Sequence, residues 1–515
     1  MMERILAHPR WSLTAWWFLL ALVITDRILL LSGFGFTHTG SDDVLFWNIA
    51  NDMLHGQFRE PYVYGQNYNP PFEPLFAVPM LAIGLPFHIA MPVITSVLAL
   101  FPFLSFAWWH RRNGRLPAAL VFLTLPLLLP VEWGMLTTIT RGFVPGIAWL
   151  GLLPFAHSIQ RTTTRAIAIG LIAGLAIFTN PNTLVFLVPF LLHQVFDAER
   201  WWRTAAWTAV GLVPFLLMQR FAMHFYVARP WRLVHRFDDW RMDFAWKALI
   251  PEGLGQLDRH FAWLAPLPFP DAAPYLLIAV VVLLIAQRSH RRALAVCAGI
   301  LFCTMSLAFP KVHDGTDNVF FPFSRMFLGV PLLLAWSWGA LRIPARPATF
   351  VPAILMTIGS FIFVHKMRST PGTIEREMAS MDRTPVTEYR YADLKHRIDH
   401  LADLASEQKA GMVIALDGTG GHDHITFSYG GPVLRPDLPP TLYVGPDRRW
   451  WARSGLDTTR IGCLLLVGGD DGLWHLLSAE HPGFERIVDQ NEMIHVWRGE
   501  GPSVGEVIRW TGKRW

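Results

Sequence analysis

Two adjacent carboxylates, Asp42 and Asp43, are the residues of this sequence best placed to exchange a proton. They open the segment GSDDVLFWNIANDMLHG, where Ser41 is predicted to cap a helix with both acids in its first turn. The polar positions of that helix form one stripe: Asn48, Asn51, Asp52 and His55. The rest is mostly apolar, so the helix is predicted to lie along a membrane surface with both carboxylates at the water–lipid boundary. The alternative is that the acids only complement the helix dipole.

A polar loop and a second apolar segment come next. The loop contains Gly56-Gln57-Phe58, Pro61, the run Gly65-Gln66-Asn67-Tyr68-Asn69-Pro70-Pro71, and Glu73. Residues 76–85 are apolar again and are predicted to form a second surface helix. The order is surface helix, polar loop, surface helix.

This order resembles the GT-C glycosyltransferases, in the branch that contains protein O-mannosyltransferases and the lipid A aminoarabinose transferase. In that branch an Asp-Glu pair follows the first helix, and an aromatic residue, a Gly-Asp-Trp-like turn and a Gly-x-x-Tyr-x-x-Pro segment come after it. The matching residues are Asp42-Asp43, Phe46, Gly56-Gln57-Phe58 and the run from Gly65 to Pro71. The segment Phe178-Thr179-Asn180-Pro181 and the region 318–331 also resemble the superfamily.

The chain departs from the branch at two places. The second acid is Asp43 rather than Glu, and Asn69 and Pro70 stand where the aminoarabinose branch often has Glu-Lys. A lysine contact to the donor phosphate therefore does not carry over.

The resemblance implies transfer of a sugar from a polyprenyl-phosphate donor to an acceptor hydroxyl of a glycan, lipid or protein, with inversion. Asp42 is the predicted base, and Asp43 is predicted to orient the acceptor or tune its neighbour, because adjacent carboxylates should not behave alike. The leaving phosphate needs cations to stabilise its charge, and Arg325 and Arg141 are predicted to supply them. The alternative for each arginine is that it anchors a helix at the membrane interface. The predicted acceptor or donor contacts are Tyr68, Gln66, Glu73 and Asn69.

No cofactor is predicted with certainty. Some superfamily members use a divalent ion, and Asp42, Asp43 and Glu73 leave a weakly held one open. The three cysteines, of which only Cys463 lies in the C-terminal part, offer neither a disulfide within that part nor a cysteine metal site.

Composition indicates that lipid is the solvent for most of the chain that positions these residues. Of 515 residues, 52% are hydrophobic and only 16% are charged, which is far too apolar for an ordinary soluble protein. The net charge of +5 does not indicate nucleic-acid binding, because the basic residues sit in short links between apolar runs.

The predicted fold is a mainly α, polytopic membrane protein of GT-C type with about eleven transmembrane helices and a small C-terminal α/β domain. The spans are 12–32, 86–109, 116–131, 142–158, 166–179, 183–196, 204–222, 273–287, 293–309, 326–341 and 348–365. The predicted domains are a transmembrane part, 1–369, whose outer loop 34–85 carries the catalytic acids, and an extracytoplasmic part, 370–515.

Charge sets the predicted orientation. With the N-terminus in the cytoplasm, alternate links are basic, and they carry Arg111, Arg112, Arg115, Arg161, Arg165, Arg200, Arg203, Arg288, Arg291, Arg292, Arg342 and Arg346. The long link 223–272 is also basic, but long links obey this rule poorly. An odd number of helices places the C-terminal domain outside, and the protein is assigned to the bacterial inner membrane.

The C-terminal part changes to amphipathic patterns. Leu394, Ile398, Leu401 and Leu404 predict a helix, and strands are predicted at 412–416, 425–429, 461–467 and 493–497, with a helix at 473–479. The run 417–421 superficially resembles a phosphate loop but lacks its Lys-Ser/Thr ending, so a turn is predicted.

Two other functions stay open. A lipid-linked oligosaccharide ligase or polymerase would favour a large outer loop rich in Arg and His, which 223–272 only moderately resembles. A transporter or scaffold would show internal repeats and charges at helix midpoints; apart from Asp26 and Arg27, these features are missing from the sequence.

Overall fold

The structure, a computed structural model, describes most of the chain. The described ranges are 9–236, 243–268, 272–313, 315, 318–342, 350–380, 388–416, 422–445, 447–469, 471–489, 492–499 and 502–512. The run 417–421 lies outside them.

The described elements are mainly helical. The helices are α1 Pro9–Leu30, α2 Ser41–Leu54, α3 Phe72–Ala82, α4 Phe87–Arg112, α5 Leu116–Leu128, α6 Val131–Leu136, α7 Val144–Trp149, α8 Leu153–His157, α9 Thr162–Thr179, α10 Leu184–Asp197, α11 Trp201–Val227, α12 Leu257–Phe261, α13 Ala273–Ala286, α14 His290–Ser306, α15 Val330–Trp338, α16 Val351–Ala379, α17 Tyr391–Glu407, α18 His422–Leu434, α19 Trp450–Arg453, α20 Asp471–Glu480 and α21 Val504–Trp510. The strands are β1 His38–Gly40, β2 Glu388–Arg390, β3 Met412–Leu416, β4 Thr441–Val444, β5 Cys463–Val467, β6 Phe484–Asp489 and β7 Glu492–Arg498.

These elements form two compact units. The helical unit comprises Met1–Gly35, Pro92–Phe221 and Asp238–Glu377, and the mixed unit comprises Phe36–Met91, Ala222–Phe237 and Met378–Trp515. Helix α16 continues through the predicted domain boundary at 369/370, and the first outer loop groups with the C-terminal residues. The division into two functional domains stays a prediction.

Several helices are apolar enough for a membrane. Each predicted span overlaps one or more helices, and five described helices are long and apolar enough to cross: Leu13–Gly35, Phe87–Arg112, Thr162–Thr179, Trp201–Val227 and Val351–Ala379. Shorter apolar helices include Leu116–Leu128, Val144–His157 and Pro274–Ala286. The count of eleven crossings is therefore not confirmed, whereas a mainly helical chain with several apolar helices and a small sheet is observed.

Two devices stabilise the helical unit. Gly170 of α9 and Gly211 of α11 allow a close crossing, because a Cβ at Gly170 would lie 2.1 Å from the carbonyl oxygen of Thr208. The charges of α1 also have partners: Asp26 accepts from Lys366 Nζ at 2.6 Å, and Arg27 donates to the hydroxyl of Thr137 at 3.0 Å.

The mixed unit is built around a five-stranded sheet of order β4-β3-β5-β7-β6. Strand β3 is parallel to β4 and β5, whereas β7 is antiparallel to β5 and β6. Fully buried residues such as Ile414, Leu442 and Leu466 form its core. The α/β character, α17, β3, β5, α20 and β7 agree with the sequence predictions, and β4 and β6 were not predicted.

One predicted strand is wrong. Residues 425–429 belong to α18, which packs on α2. Their alternating pattern is typical of a strand, but Thr426, Phe427 and Ser428 are all fully buried, so period-two alternation does not separate an inner from an outer face here. Gly430 of α18 lies close to two other helices, because a Cβ there would lie 2.9 Å from the end of the Ile398 side chain in α17 and in ordinary contact, at 3.5 Å, with Val44 of α2.

The placement of α2 along a membrane surface stays a prediction, and the structure shows what buries this helix. Its apolar residues are buried by protein, with Val44 and Ala50 at 0% exposure and Trp47 at 2%. The polar stripe is used internally, since Asn48 donates to the carbonyl oxygen of Tyr429 at 2.7 Å. Amphipathic spacing alone does not distinguish burial in lipid from burial against another helix.

Candidate active site

Asp42 lies at the start of α2, which is anchored by a short strand pair. Strand β1 pairs antiparallel with β2, matching His38 to Arg390 and Gly40 to Glu388. The Asp42 side chain is 25% exposed, and its Oδ1 accepts a hydrogen bond from Arg448 Nη1 at 3.1 Å. This carboxylate is thus both reachable and fixed by an ion pair.

Asp43 has a different environment. It is 7% exposed, and its Oδ2 accepts from the backbone N–H of Gly40 at 3.2 Å. Gly40 rather than Ser41 is therefore the residue that caps α2, with Asp43 completing the turn from its third position. The structure places the two predicted acids side by side but gives Asp43 a helix-capping contact.

A rigid turn presents Arg448. Its neighbours Asp447 and Arg449 form a buried ion pair at 2.9 Å, and Arg449 also donates to the carbonyl oxygen of Ser428 at 2.9 Å. The N–H of Arg448 itself donates to the hydroxyl of Tyr429 at 3.1 Å. Burial alone would lower the pKa of Arg448, but the negative charge of Asp42 and the neighbouring Tyr429 and Tyr68 raise it above its ordinary value.

The polar loop fits closely around this turn. Gly65 has a φ of +73°, and a Cβ there would lie 2.8 Å from the Arg448 side chain and 3.0 Å from its Cα. The carbonyl oxygen of Gly65 accepts from the N–H groups of Val234 and His235 at 2.8 and 2.9 Å. The Gly-x-x-Tyr segment therefore has a physical requirement for glycine at its first position.

The other predicted contact residues lie in or beside this loop. Gln66 is 5% exposed and donates to the carbonyl oxygen of Tyr68 at 3.3 Å. Asn69 has a φ of 58°, and its carbonyl oxygen accepts from Val63 at 3.1 Å. Glu73 lies in the first turn of α3 with no exposed surface. The loop therefore holds Gln66, Tyr68 and Asn69 together, whereas Glu73 is interior.

A second polar cluster of the mixed unit was not predicted. Asp52 accepts from Arg59 Nε at 2.6 Å and from the hydroxyl of Tyr64 at 2.7 Å. The Arg59 guanidinium lies 4.3 Å from the ring centroid of Trp451, against which Tyr64 also packs. The polar stripe of α2 pointed to Asp52, but no sequence pattern pointed to Trp451, which is far along the chain.

Glu60 is a buried acid of this loop. It is 2% exposed, and its Oε2 accepts from the hydroxyl of Tyr226 at 3.0 Å and from the N–H of Gly65 at 3.3 Å. Burial raises the pKa of Glu60 to about 7, against these two hydrogen bonds and the charge of Arg232, which lower it. Glu60 therefore titrates near neutral pH, a property that sequence spacing does not reveal.

Arg141 and Arg325, the predicted phosphate ligands, lie together in the helical unit. Each is 4% exposed, and their guanidinium carbons lie 5.4 and 4.6 Å from the ring centroid of Phe321. Arg141 Nη1 also donates to the carbonyl oxygen of Phe320 at 3.2 Å. Aromatic faces and a backbone carbonyl thus orient these two cations.

The segment from Phe178 to Pro181, together with Asn182, makes hydrogen bonds to the backbone near Arg141 and Arg325. Asn180 donates to the carbonyl oxygen of Gly142 at 3.1 Å, and Asn182 donates to that of Phe143 at 3.0 Å. Asn182 Nδ2 also lies 3.4 Å from the carbonyl oxygen of Arg325. Asn180 and Asn182 therefore hold the backbone that directly follows Arg141, and Asn182 also contacts the backbone of Arg325.

The sequence leaves a weakly held divalent ion open, and the described residues can be compared with that prediction. Within the described ranges, no three His, Cys, Asp or Glu side chains come together in a group that could hold an ion. Binding of a weakly held divalent ion at Asp42, Asp43 or Glu73 stays a prediction, and a transfer assay with and without the ion tests it.

Two solved structures are similar to this chain. ArnT from Cupriavidus metallidurans in the apo state is 14% identical with a TM-score of 0.46, and the match covers 92% of this chain and 97% of that chain. The same protein bound to undecaprenyl phosphate is 15% identical with a TM-score of 0.45, covering 94% and 99%. Because both TM-scores lie below 0.5, the likeness assigns neither a substrate nor a site residue to this chain. No protein-family model and no curated protein matches the sequence.

Proposed function

We propose that this protein is a membrane glycosyltransferase that moves a sugar from a polyprenyl-phosphate donor to an acceptor hydroxyl, with inversion at the sugar carbon. The observation that carries the proposal is the Asp42 carboxylate, 25% exposed and held by Arg448 within a loop of GT-C-like order. A reachable and oriented carboxylate is what proton abstraction from an alcohol requires. The site of action is the outer face of the cytoplasmic membrane, with the N-terminus inside and the C-terminal residues outside.

The chemistry needs one base and one cationic site. Asp42 takes the proton of the acceptor hydroxyl, whose oxygen forms a bond to the anomeric carbon. The bond from that carbon to the phosphate oxygen breaks, and polyprenyl phosphate leaves with the electron pair. Because this leaving group is already stable as an anion, cations rather than an acid assist its departure.

The remaining residues are assigned supporting roles. Asp43, which caps α2, is a positioning residue, and Arg448 holds the Asp42 carboxylate in one orientation. We assign the donor phosphate to Arg141 and Arg325. Tyr68, Gln66 and Asn69 are proposed contacts to acceptor or donor, and the buried Glu73 would support them from the interior.

The test is transfer by purified full-length protein in lipid vesicles with a panel of polyprenyl-phosphate sugars and acceptors, with and without a divalent ion. Asp42→Asn should lower kcat by about 10²- to 10⁴-fold with the protein still folded. Asp43→Asn should lower both thermal stability and activity, because it weakens the cap. Asp403→Asn is the control, since Asp403 is 68% exposed in the same unit.

Two outcomes would contradict the proposal. Full activity of Asp42→Asn would remove this residue as the base. Release of polyprenyl phosphate from none of the donors, with or without the ion, would reject the transferase and favour a transporter or scaffold.

A further inference from the structure

The helical unit contains a large cavity that the proposed function does not use. Its volume is about 1290 Å³, and it is lined by residues of α4, α8, α9, α10, α11, α14 and α15. None of the residues assigned to sugar transfer lines it. It includes the links 113–115, 162–165 and 197–204, which the charge pattern predicts to be cytoplasmic. We call it the basic cavity.

The cavity has an excess of positive charge. Its lining includes five arginines, which are Arg115, Arg165, Arg200, Arg203 and Arg292. Two acids oppose them, and Asp197 lies 3.5 Å from His193 Nε2 and 4.0 Å from Arg291 Nη1. The formal excess is three positive charges with neutral histidines, so the cavity attracts anions.

Two buried histidines point to a ligand that accepts hydrogen bonds. His110 and His193 are each 6% exposed and line the cavity, and the Nδ1 atom of each has no hydrogen-bond partner within the described ranges. Arg292 donates to His193 Nε2 at 3.2 Å through Nε and lies 2.9 Å from it through Nη2. Because arginine only donates, His193 Nε2 accepts, and in the neutral ring the proton is on the unpartnered Nδ1. A buried donor of this kind needs an acceptor.

The rim of the cavity is aromatic. Trp202 and Trp207 line it and are 56% and 40% exposed. Deeper in, the Arg292 guanidinium lies 5.4 Å from the ring centroid of Trp336. Exposed tryptophans on membrane helices favour the headgroup level of a bilayer, which is where anionic lipid headgroups are found.

We propose that the basic cavity is a binding site for a phosphate or diphosphate group, distinct from the sugar-transfer residues. Guanidinium groups bind phosphate oxygens through paired, charge-assisted hydrogen bonds, and the Nδ1–H of His193 adds a buried donor. The group is carried either by a lipid headgroup at the predicted cytoplasmic surface or by a soluble diphosphate.

The two sources are separated by two probes. Full-length protein in phosphatidylcholine nanodiscs is titrated with phosphatidylglycerol, and binding is followed by native mass spectrometry. The same protein is titrated with inorganic pyrophosphate, followed by calorimetry. Specific binding of the first probe identifies a lipid site, and binding of the second identifies a soluble one.

The variants are matched for charge. Arg165→Gln with Arg203→Gln should weaken binding of the effective probe by about tenfold or more, whereas Arg165→Lys with Arg203→Lys should retain most of it. The control is Arg112→Gln with Arg161→Gln, which removes two arginines of the same predicted side that do not line the cavity. Thermal unfolding of each variant confirms folding.

The proposal is overturned if neither probe binds the wild-type protein. It is also overturned if the cavity variant and the control weaken binding equally, because the arginines would then act only as general surface charge. Since no transfer reaction is measured, failure here is independent of the glycosyltransferase proposal.

Discussion

Asp42 and Asp43 are neighbours in the sequence but have different partners in the structure. Asp42 bonds to Arg448 at 3.1 Å, and Asp43 accepts from Gly40 at 3.2 Å. The sequence could predict the pair and its place at a helix start, because both depend on local residue types. It could not predict Arg448, which is 406 positions from Asp42.

The first prediction concerns Arg448. Arg448→Ala should lower kcat by about 10- to 100-fold, because Asp42 loses the group that orients it. Arg448→Lys should recover part of this loss, since it keeps the charge but not the planar geometry. Transfer by reconstituted protein measures both, with Arg509→Ala, an exposed ion-pair residue of the same unit, as the control. Unchanged kcat in Arg448→Ala would contradict the positioning role.

The second prediction concerns Glu60, whose pKa is raised from 4.5 to about 7. The folded protein therefore binds this proton more strongly than the unfolded chain, so the contribution of Glu60 to stability is largest at acidic pH and is lost as pH rises from about 4.5 to 7. Glu60→Gln should remove this dependence, which corresponds to roughly 2–3 kcal/mol in the free energy of unfolding.

The measurement for Glu60 is thermal unfolding from pH 5 to 8 in detergent. The difference between wild type and Glu60→Gln should grow with pH up to about 7 and then level off. Glu485→Gln provides the control, because Glu485 is 66% exposed. Parallel pH profiles for wild type and Glu60→Gln would show that Glu60 titrates normally.

At the scale of elements, some patterns identify a helix and others do not. The spacing of Leu394, Ile398 and Leu401 predicted α17, and all three are fully buried. The same kind of reasoning predicted a strand at 425–429, where the structure has a helix. The prediction failed because contacts with α2 and β4, which the local pattern does not show, determine the conformation of that segment. Local periodicity is informative where one face of an element is solvated, and less so where the element is covered all round.

The third prediction compares two glycines of the polar loop. Gly56 and Gly65 have φ values of +72° and +73°, but a Cβ at Gly56 would meet nothing within 4 Å, whereas at Gly65 it would meet Arg448 at 2.8 Å. Gly56→Ala should therefore lower the free energy of unfolding by about 1–2 kcal/mol through backbone strain alone. Gly65→Ala should cost more and should also lower transfer, because it displaces Arg448.

Thermal unfolding and kcat of both glycine variants test this comparison. Because the backbone strain is matched, the difference between them isolates the close approach of Arg448 to the loop. Equal losses in the two variants would show that the contact at Gly65 has no effect.

At the scale of the whole molecule, the sequence predicted a polytopic, mainly helical chain because apolar runs depend only on composition and length. The number of crossings could not be fixed in this way. Five of the described helices meet the length and hydropathy expected of a span, while others, such as Leu116–Leu128, are shorter. Short helices cross or do not cross according to their neighbours and the local bilayer.

The fourth prediction concerns orientation. In a variant with Cys297, Cys303 and Cys463 replaced, Asp403→Cys should react with a membrane-impermeant maleimide on intact cells. Arg161→Cys should react only after the cytoplasmic membrane is permeabilised, because basic links stay inside. Labelling in the reverse order would overturn the predicted topology.

The pairing of α2 with α18 also affects how the protein is made. Asn48 and its partner Tyr429 are 381 positions apart, so the apolar face of α2 is synthesised long before the helix that covers it. During that interval Val44 and Trp47 lack the contacts that bury them in the finished chain. A chain interrupted before α18 would therefore leave the apolar face of α2 without the helix that covers it.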